Sequence, residues 1–422
     1  MKCAAAVLLV LLSGLAAGCA GNDGVEPVTT TSCARLLYEG DGEPDVIVVS
    51  DFPLRGVGAR TTKLMVNAIE FVFRQRAFRA GEHRVGYQSC NDTVGDEPFD
   101  PPLCRRNARA YVAAEDVVGI IGPWNSACAR EQIPIVSRKA AGPLAMVSPS
   151  NTFVGLTRTI AGERSGQALY PDGVRSYARV VPHDQAQGIA VAHLAARLGA
   201  RRVVVVHQDL ADVYIHGLTV PFVKAARGLG IEARQIDWPF RQSYTRLAAE
   251  VAGARPGVVF LAGLTQVNAK TLVEDLRARL GPEIPLIAPD SFAAADIAQE
   301  LGPAGEGMFV TVPGVPPDLL PPAGKRFLRA FGKSFVEPGQ LGAPEAAQAT
   351  EVLLDAIGRS DGTRGSVVDE LFATKVVDGI LGSFSFDRFG DIVPAPVGIY
   401  RFQDQKVVAE GVVRAPLDAI GG

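Results

Sequence analysis

Catalytic signatures are what this 422-residue chain has least of. It carries only five histidines, His83, His183, His193, His207 and His216, and none falls in the HExxH spacing that sets two imidazoles on one helix face for zinc. No Walker loop is spelled, no GxSxG stands at a strand-to-helix turn, and no two cysteines form a CxxC pair. Those absences remove the commonest nucleotide, hydrolase, redox and zinc-ribbon readings, so no metal and no cofactor is expected. Gly56-Val57-Gly58-Ala59-Arg60-Thr61 nearly spells the dinucleotide fingerprint, but a threonine replaces its third glycine and several residues separate it from the strand before it. A surplus of either charge is also missing: 42 basic against 45 acidic residues leave a net charge of −3. Without a basic field or a lysine or arginine run, nucleic acid is not an expected partner.

Apolar residues make up 47% of the chain, enough for one large core or two ordinary ones. One apolar run opens it: Lys2 precedes Ala4 to Leu12, and small residues lead on to Cys19. That is the layout of an export signal over residues 1–18, too short to span a bilayer. Ala16-Ala17-Gly18-Cys19 resembles a bacterial lipobox, with alanine where leucine is more usual at its first position. Cys19 is then the lipidated N-terminus of the mature chain, held at the membrane by acyl chains contributing ~0.8 kcal/mol per buried methylene. The alternative is plain cleavage and free secretion. The polar stretch AGNDGVEPVTTTS suits a tether within residues 19–43. Beyond Cys19, the even set Cys33, Cys90, Cys104 and Cys128 implies two disulfides in an exported chain, with the pairing left open.

From Asp45 onward, short β-branched runs alternate with helical patterns. DVIVVS, the run from His83 and VVGII read as buried strands, and a helix predicted over Ala59 to Arg79 carries Met65, Ile69, Val72 and Phe73 on one face. The alternation restarts at Gln185 and runs to Val312. This argues for an α/β chain of two doubly wound lobes with parallel sheets.

The stretch from Gly119 to Thr152 organises the first lobe. Two strand ends, at Ile121 and Val147, lead into small-residue loops that line the crevice beyond the carboxyl edge of a parallel sheet. Ser126 falls where a helix N-cap is expected, so the first amides of that helix lack intrahelical acceptors and can receive an anion. Ser150-Asn151-Thr152 supplies a second set of hydroxyls and amides. Each loop could instead serve only its own helix or turn.

These residues carry a resemblance. Gly122 to Ser126, the Ile-Pro within the helix and MVSPSNT followed by Leu156-Thr157 resemble the ligand loops of type I periplasmic binding proteins, above all the leucine/isoleucine/valine-binding proteins of ABC importers. The Pro-Leu-x-Gly of residues 53–56 and Asp100-Pro101 at the start of a helix are similar to the same family, as are Tyr177 to Gly188 at a first crossing between lobes. The resemblance implies a three-crossing hinge. It divides the chain into lobe one over 44–180, lobe two over 181–312, a return to lobe one over 313–378, and a closing hairpin and tail of lobe two over 379–422. It also implies site residues: Ser126, Ser150, Asn151 and Thr152 at a ligand carboxylate, Asp290 at its ammonium, and Trp124, Asn125 and Tyr214 around the remainder. An aromatic that branched-chain binders carry near Leu264 and Thr265 is missing here.

The expected function is an extracytoplasmic solute-binding lipoprotein of an ABC importer. Its partners are a small amino-acid-like ligand, the permease subunits and, through the anchor, the membrane. A ligand sensor of the same fold and a secreted enzyme are the alternatives.

Overall fold

The structure, a computed structural model, describes residues 24–56, 58–160, 163–332 and 341–415. The expected export signal, Cys19 and the last residues of the tail lie outside the described residues.

Strands β1 (Val46–Phe52), β2 (Arg79–Ala80), β3 (His83–Asn91), β4 (Val117–Ile121), β5 (Ala145–Ser148) and β6 (Tyr177–Arg179) form one sheet in the order β2-β3-β1-β4-β5-β6, parallel except at β2. A second sheet starts with β7 (Arg202–His207), β8 (Glu232–Asp237), β9 (Val258–Ala262), β10 (Leu286–Ala288) and β11 (Phe309–Pro313). Strands β12 (Lys375–Gly379), β13 (Gly382–Phe386) and β14 (Ile392–Val393) pair among themselves. Then β15 (Ala395–Gln403) and β16 (Lys406–Ala415) complete the second sheet as β16-β15-β11-β10-β9-β7-β8. Helices α1 (Ala59–Gln75), α2 (Pro101–Ala113) and α3 (Ser126–Val136) belong to the first lobe. The second lobe holds α4 (Asp184–Arg197), α5 (Val213–Gly228), α6 (Thr245–Gly253), α7 (Ala269–Leu280) and α8 (Ala295–Gly305), after which α9 (Pro322–Phe331), α10 (Ala343–Arg359) and α11 (Arg364–Phe372) return to the first.

Each sheet is covered on both faces, which is why its central strands lack polar alternation. In β1, Val46 and Val48 pack with Met65, Ile69 and Leu353, while Ile47 and Val49 face Ala108, Tyr111 and Ile133 on the other side. In β7, Val204 and Val206 meet Val251 and Leu272, and Val203 and Val205 meet Leu218 and Phe222. Helices α4 and α5 approach closely: a Cβ on Gly188 would stand 2.3 Å from the Leu218 carbonyl oxygen. Disulfides join Cys33 to Cys90 and Cys104 to Cys128, tying the N-terminal segment to β3 and α2 to α3.

Two expectations need correction. The first helix ends at Gln75, not Arg79, because Ala77 and Phe78 take φ of 47° and 56° and turn Phe78 into the core ahead of β2. The lobe boundary expected at Gly379 moves as well. Leu381, Phe384, Phe386 and Ile392 all pack in the first lobe's core, and the chain enters the second sheet only at Ala395. The apolar alternation of FSF, together with Ile392, gives that short sheet a face the first lobe buries.

The first and third crossings are fastened to each other. Arg179, fully buried at the end of β6, donates from Nε to Asp391 Oδ1 at 2.8 Å, from Nη2 to Thr157 Oγ1 at 2.6 Å and from Nη1 to the Phe153 carbonyl at 2.8 Å. Arg158 Nε reaches Asp391 Oδ2 at 2.9 Å. Gly390, at φ 91°, admits this close approach, since a Cβ there would lie 2.1 Å from the Tyr177 carbonyl oxygen. Burial alone would push the Asp391 carboxyl up, but Arg179, His183 and Arg158 outweigh it and hold the group well below the ordinary range. The neighbouring His183 is pushed down to about 4, chiefly by burial, and is neutral at neutral pH.

Asp391→Asn should therefore cost about 3–5 kcal/mol in urea unfolding at neutral pH, because it strands a buried guanidinium. The depressed carboxyl contributes stability above its unfolded pKa of about 4 and loses it as pH falls toward the folded value, so the gap between variant and wild type should narrow on acidification. An unchanged midpoint at neutral pH would discard the clamp.

Candidate ligand-binding site

The loops that leave β4 and β5 face those that leave β7 and β10 across a cavity of about 690 Å³. Trp124, Asn125, Ser126, Ser150, Thr152, Tyr214 and Asp290 line it, joined by Arg130, Phe153 and Asp184.

On the first-lobe wall, the cap of α3 is Asn125 rather than Ser126: its Oδ1 accepts from the Ala127 amide at 2.8 Å. Ser126 is the first helical residue, and its Oγ accepts from the Phe153 amide at 3.4 Å, tying the two loops together. Ser150 Oγ donates to the Trp124 carbonyl at 3.0 Å, which leaves its lone pairs and not its proton for further contacts. The amides of Ser126 and Thr152 have no acceptor among the described residues. Asn151 differs from its expected place. It is fully buried beneath the cavity, donates from Nδ2 to the carbonyls of Pro123 and Trp124 at 3.0 Å, and accepts from the Tyr177 hydroxyl at 3.0 Å. It fixes the shape of the loops and does not line the cavity. The Trp124 ring lies against the start of α1, where a Cβ on Gly58 would come within 3.0 Å of it.

The opposite wall carries acids. Tyr214 follows Asp212, which caps α5 by accepting from the Tyr214 and Ile215 amides at 2.8 and 3.2 Å. The Tyr214 hydroxyl donates to Asp290 Oδ1 at 2.7 Å, and Gln187 Nε2 donates to the same oxygen at 2.9 Å. Asp290 sits in a short turn after β10 and caps no helix; α8 starts at Ala295 without a side-chain cap. Asp184 opens α4 at the first crossing, buried, with Oδ1 unpartnered. Its amide donates to the Thr152 carbonyl at 2.9 Å, joining the two walls at the hinge. Burial pushes the Asp184 carboxyl up, and Asp290 pushes it further; burial also raises Asp290, against the lowering effect of Tyr214 and Gln187. Gly217 leaves room for this arrangement, since a Cβ there would stand 3.2 Å from Asp184 Cβ.

Asp184 was legible only as part of the crossing, not as a cavity residue; the signal that could have placed it is a lone acid at the first turn of a helix bordering the hinge. Arg130, one helical turn beyond Ser126, gave no signal of its own. It is the one basic side chain lining the cavity among the described residues, and it pairs with Glu163 at 3.3 Å.

Metal-ligand atoms gather elsewhere only at Asp92, Cys104 and Cys128, within 4.8 Å of one another among the described residues. The two sulfurs are bonded to each other, so no thiolate is offered there. A GxSxG spelling does occur at Gly358–Gly362, but it spans the end of helix α10 instead of following a strand, and its Ser360 Oγ donates to the Ile357 carbonyl at 2.7 Å. It is a helix end, not a nucleophile elbow.

Residues 52–406 match the family of periplasmic binding proteins. No curated protein matches at the sequence level. Among solved structures, the chain is similar to the leucine binding protein LivK of Thermotoga maritima MSB8, at 22% identity over 88% of this chain and 99% of that one, with a TM-score of 0.68. It is similar to the branched-chain amino acid transporter substrate binding protein LivJ of Streptococcus pneumoniae, solved with isoleucine, at 18% identity over 87% and 99% and a TM-score of 0.65. It is also similar to an ABC transporter solute binding protein of R. palustris, solved with benzoate, at 17% identity over 88% and 96% and a TM-score of 0.63. These likenesses show a shared two-lobed fold. With the family match running from the end of β1 to the start of β16, the chain belongs to the periplasmic binding proteins, a family of binding proteins and not of enzymes.

Proposed function

We propose that this protein is the extracytoplasmic solute-binding lipoprotein of an ABC importer and that it captures a small zwitterion, an amino acid or a close relative. One observation carries the reading: the cavity is polarised. Its first-lobe wall presents the unpaired amides of Ser126 and Thr152 and the proton of the Ser126 hydroxyl, while the hinge and second lobe present the acids Asp184 and Asp290. An α-carboxylate fits the first wall, where the start of α3 favours negative charge by ~0.3–1 kcal/mol, and up to about 2 when partly buried. An ammonium fits the second, beside Tyr214.

The relatives solved with isoleucine and with benzoate both hold a carboxylate compound, and the acid pair here favours the one that also bears an ammonium. Trp124, Phe153 and Val213 cover the apolar part of the ligand. Because Tyr214 and Asp290 belong to the second lobe, ligand seated on the first gains these contacts only as the lobes close, and so favours the closed population that a permease recognises. Micromolar capture needs about −8 kcal/mol, within reach of a charge-matched buried site. The export signal over residues 1–18 and the lipobox at Cys19 support delivery to the outer face of the membrane, with Cys19 as the anchor.

A thermal-shift panel of the twenty L-amino acids, their amides and their deaminated acids tests the reading. A ligand at about 100 times its dissociation constant should add ~2.7 kcal/mol of stability. A panel in which no amino acid moves the unfolding midpoint would sink it. For the best binder, Asp290→Asn should weaken the amino acid at least tenfold, and the matching deaminated acid far less; equal losses would take Asp290 out of the ammonium subsite. Cys19→Ala, expressed in a lipoprotein-processing bacterium, should move the protein from the membrane pellet to the soluble fraction, and a variant that still pellets would remove Cys19 as the anchor.

A further inference from the structure

Asp184 and Asp290 face one cavity with no cation to share. Arg130, the one basic side chain lining the cavity among the described residues, is held by Glu163, and Arg179, which acts on Asp184 from β6, is committed to Asp391. The groups facing Asp184 come from four directions: the Thr152 hydroxyl from the turn after β5, Arg179 from β6, Asp212 at the start of α5, and Asp290 from the turn after β10. Asp290 is faced by the Tyr214 hydroxyl and the Gln187 amide, both donors already in use. Asp184 Oδ1 has no hydrogen-bond donor among the described residues.

Resting on the zwitterion reading above, we propose that the empty cleft holds one proton on the Asp184–Asp290 pair and that the arriving ammonium group displaces it to solvent. Capture is then an exchange. The protonated pair and RNH3⁺ become the fully ionised pair clasping RNH3⁺, with one H⁺ released, so charge and atoms balance. Two neighbouring carboxylates, one buried and one half-buried, cannot both ionise cheaply without a cation between them, and the ligand brings that cation. Burial raises both carboxyls and Asp290 raises Asp184 further, in agreement with a resident proton. A neutral ligand of the same shape leaves the proton in place, so the exchange also selects for a primary ammonium over an N-acylated or deaminated analogue.

The experiment is isothermal titration of the full mature chain with the best-binding L-amino acid of the panel, in two buffers of different ionisation enthalpy. Release should approach about one proton per ligand below the pair's apparent pKa. Affinity should rise up to about tenfold per pH unit there and level off above it. Asp184→Asn should bind more weakly, release no proton and lose the pH slope. A ligand-free arm reads the same proton. An acid whose folded pKa is raised lowers stability as pH climbs from its unfolded value to its folded one, so Asp184→Asn should gain more in unfolding midpoint over wild type at about pH 8 than at about pH 5. Binding with no proton release and a flat affinity from about pH 5 to about pH 9 would overturn the exchange while leaving the zwitterion reading intact. A stability gain equal at both pH values would overturn the resident proton whatever binds, and a panel without any amino-acid binder would take both readings down together.

Discussion

The geometry of the cleft depends on one buried guanidinium. Arg179 sits where the first crossing leaves β6, and its partner Asp391 sits just before the third crossing enters β15, so a single ion pair fastens two of the three strands of the hinge. Burying both charges is costly, and an apolar replacement of equal shape could be as stable. What the pair supplies is position. Arg179 also holds the Phe153 and Asn151 carbonyls, at 2.8 and 3.2 Å, so the loop bearing Ser150 and Thr152 is referenced to the same point as the hinge. Four residues beyond Arg179, His183 caps α4 and Asp184 begins it.

From that fixed point the polarity of the cavity follows. The start of α3 aims amide hydrogens at the cleft from one side, while Asp212 consumes the corresponding donors at the start of α5. The second wall therefore has no free positive end, and its acids dominate. Asp184 is under opposing influences. Its place in the first turn of α4 favours the anion through the helix dipole by ~0.3–1 kcal/mol, but full burial and the neighbouring Asp290 act the other way and prevail.

How much of this was legible in the chain depends on the range of the interaction. The β-branched runs of β1, β4 and β7 read correctly because burial on both faces leaves no polar alternation to confuse the pattern. The loops after β4 and β5 were legible as a pair because both follow buried strands in one sheet. Which residue caps and which faces outward was not. Asn125 and Ser126 are both good N-cap residues, and only the backbone decides that Asn125 takes the cap while Ser126 is freed to meet the next loop. Asn151 was assigned to the ligand carboxylate by the likeness of its turn to the family's ligand loops, yet the carbonyls of Pro123 and Trp124, brought from a distant loop, make its burial favourable. The late third crossing depended on phenylalanines finding a core assembled some 300 residues earlier, which no local pattern encodes.

The acid pair connects these levels. Asp184 is bound through its amide to Thr152 at the hinge, but it also begins α4, whose Gln187 donates to Asp290, so both acids belong to the second lobe and stay together. A ligand seated by its carboxylate on the first lobe, as proposed above, would bring its ammonium to this pair as the lobes close. A ligand shifts a two-state equilibrium only by its difference in affinity for the two states. On the proposed zwitterion reading, an ammonium that meets the acid pair fully only in the closed state supplies that difference. On that reading closure and charge recognition are the same event, and a ligand carboxylate received by the amides of the first lobe would decide where that event happens and not whether it does.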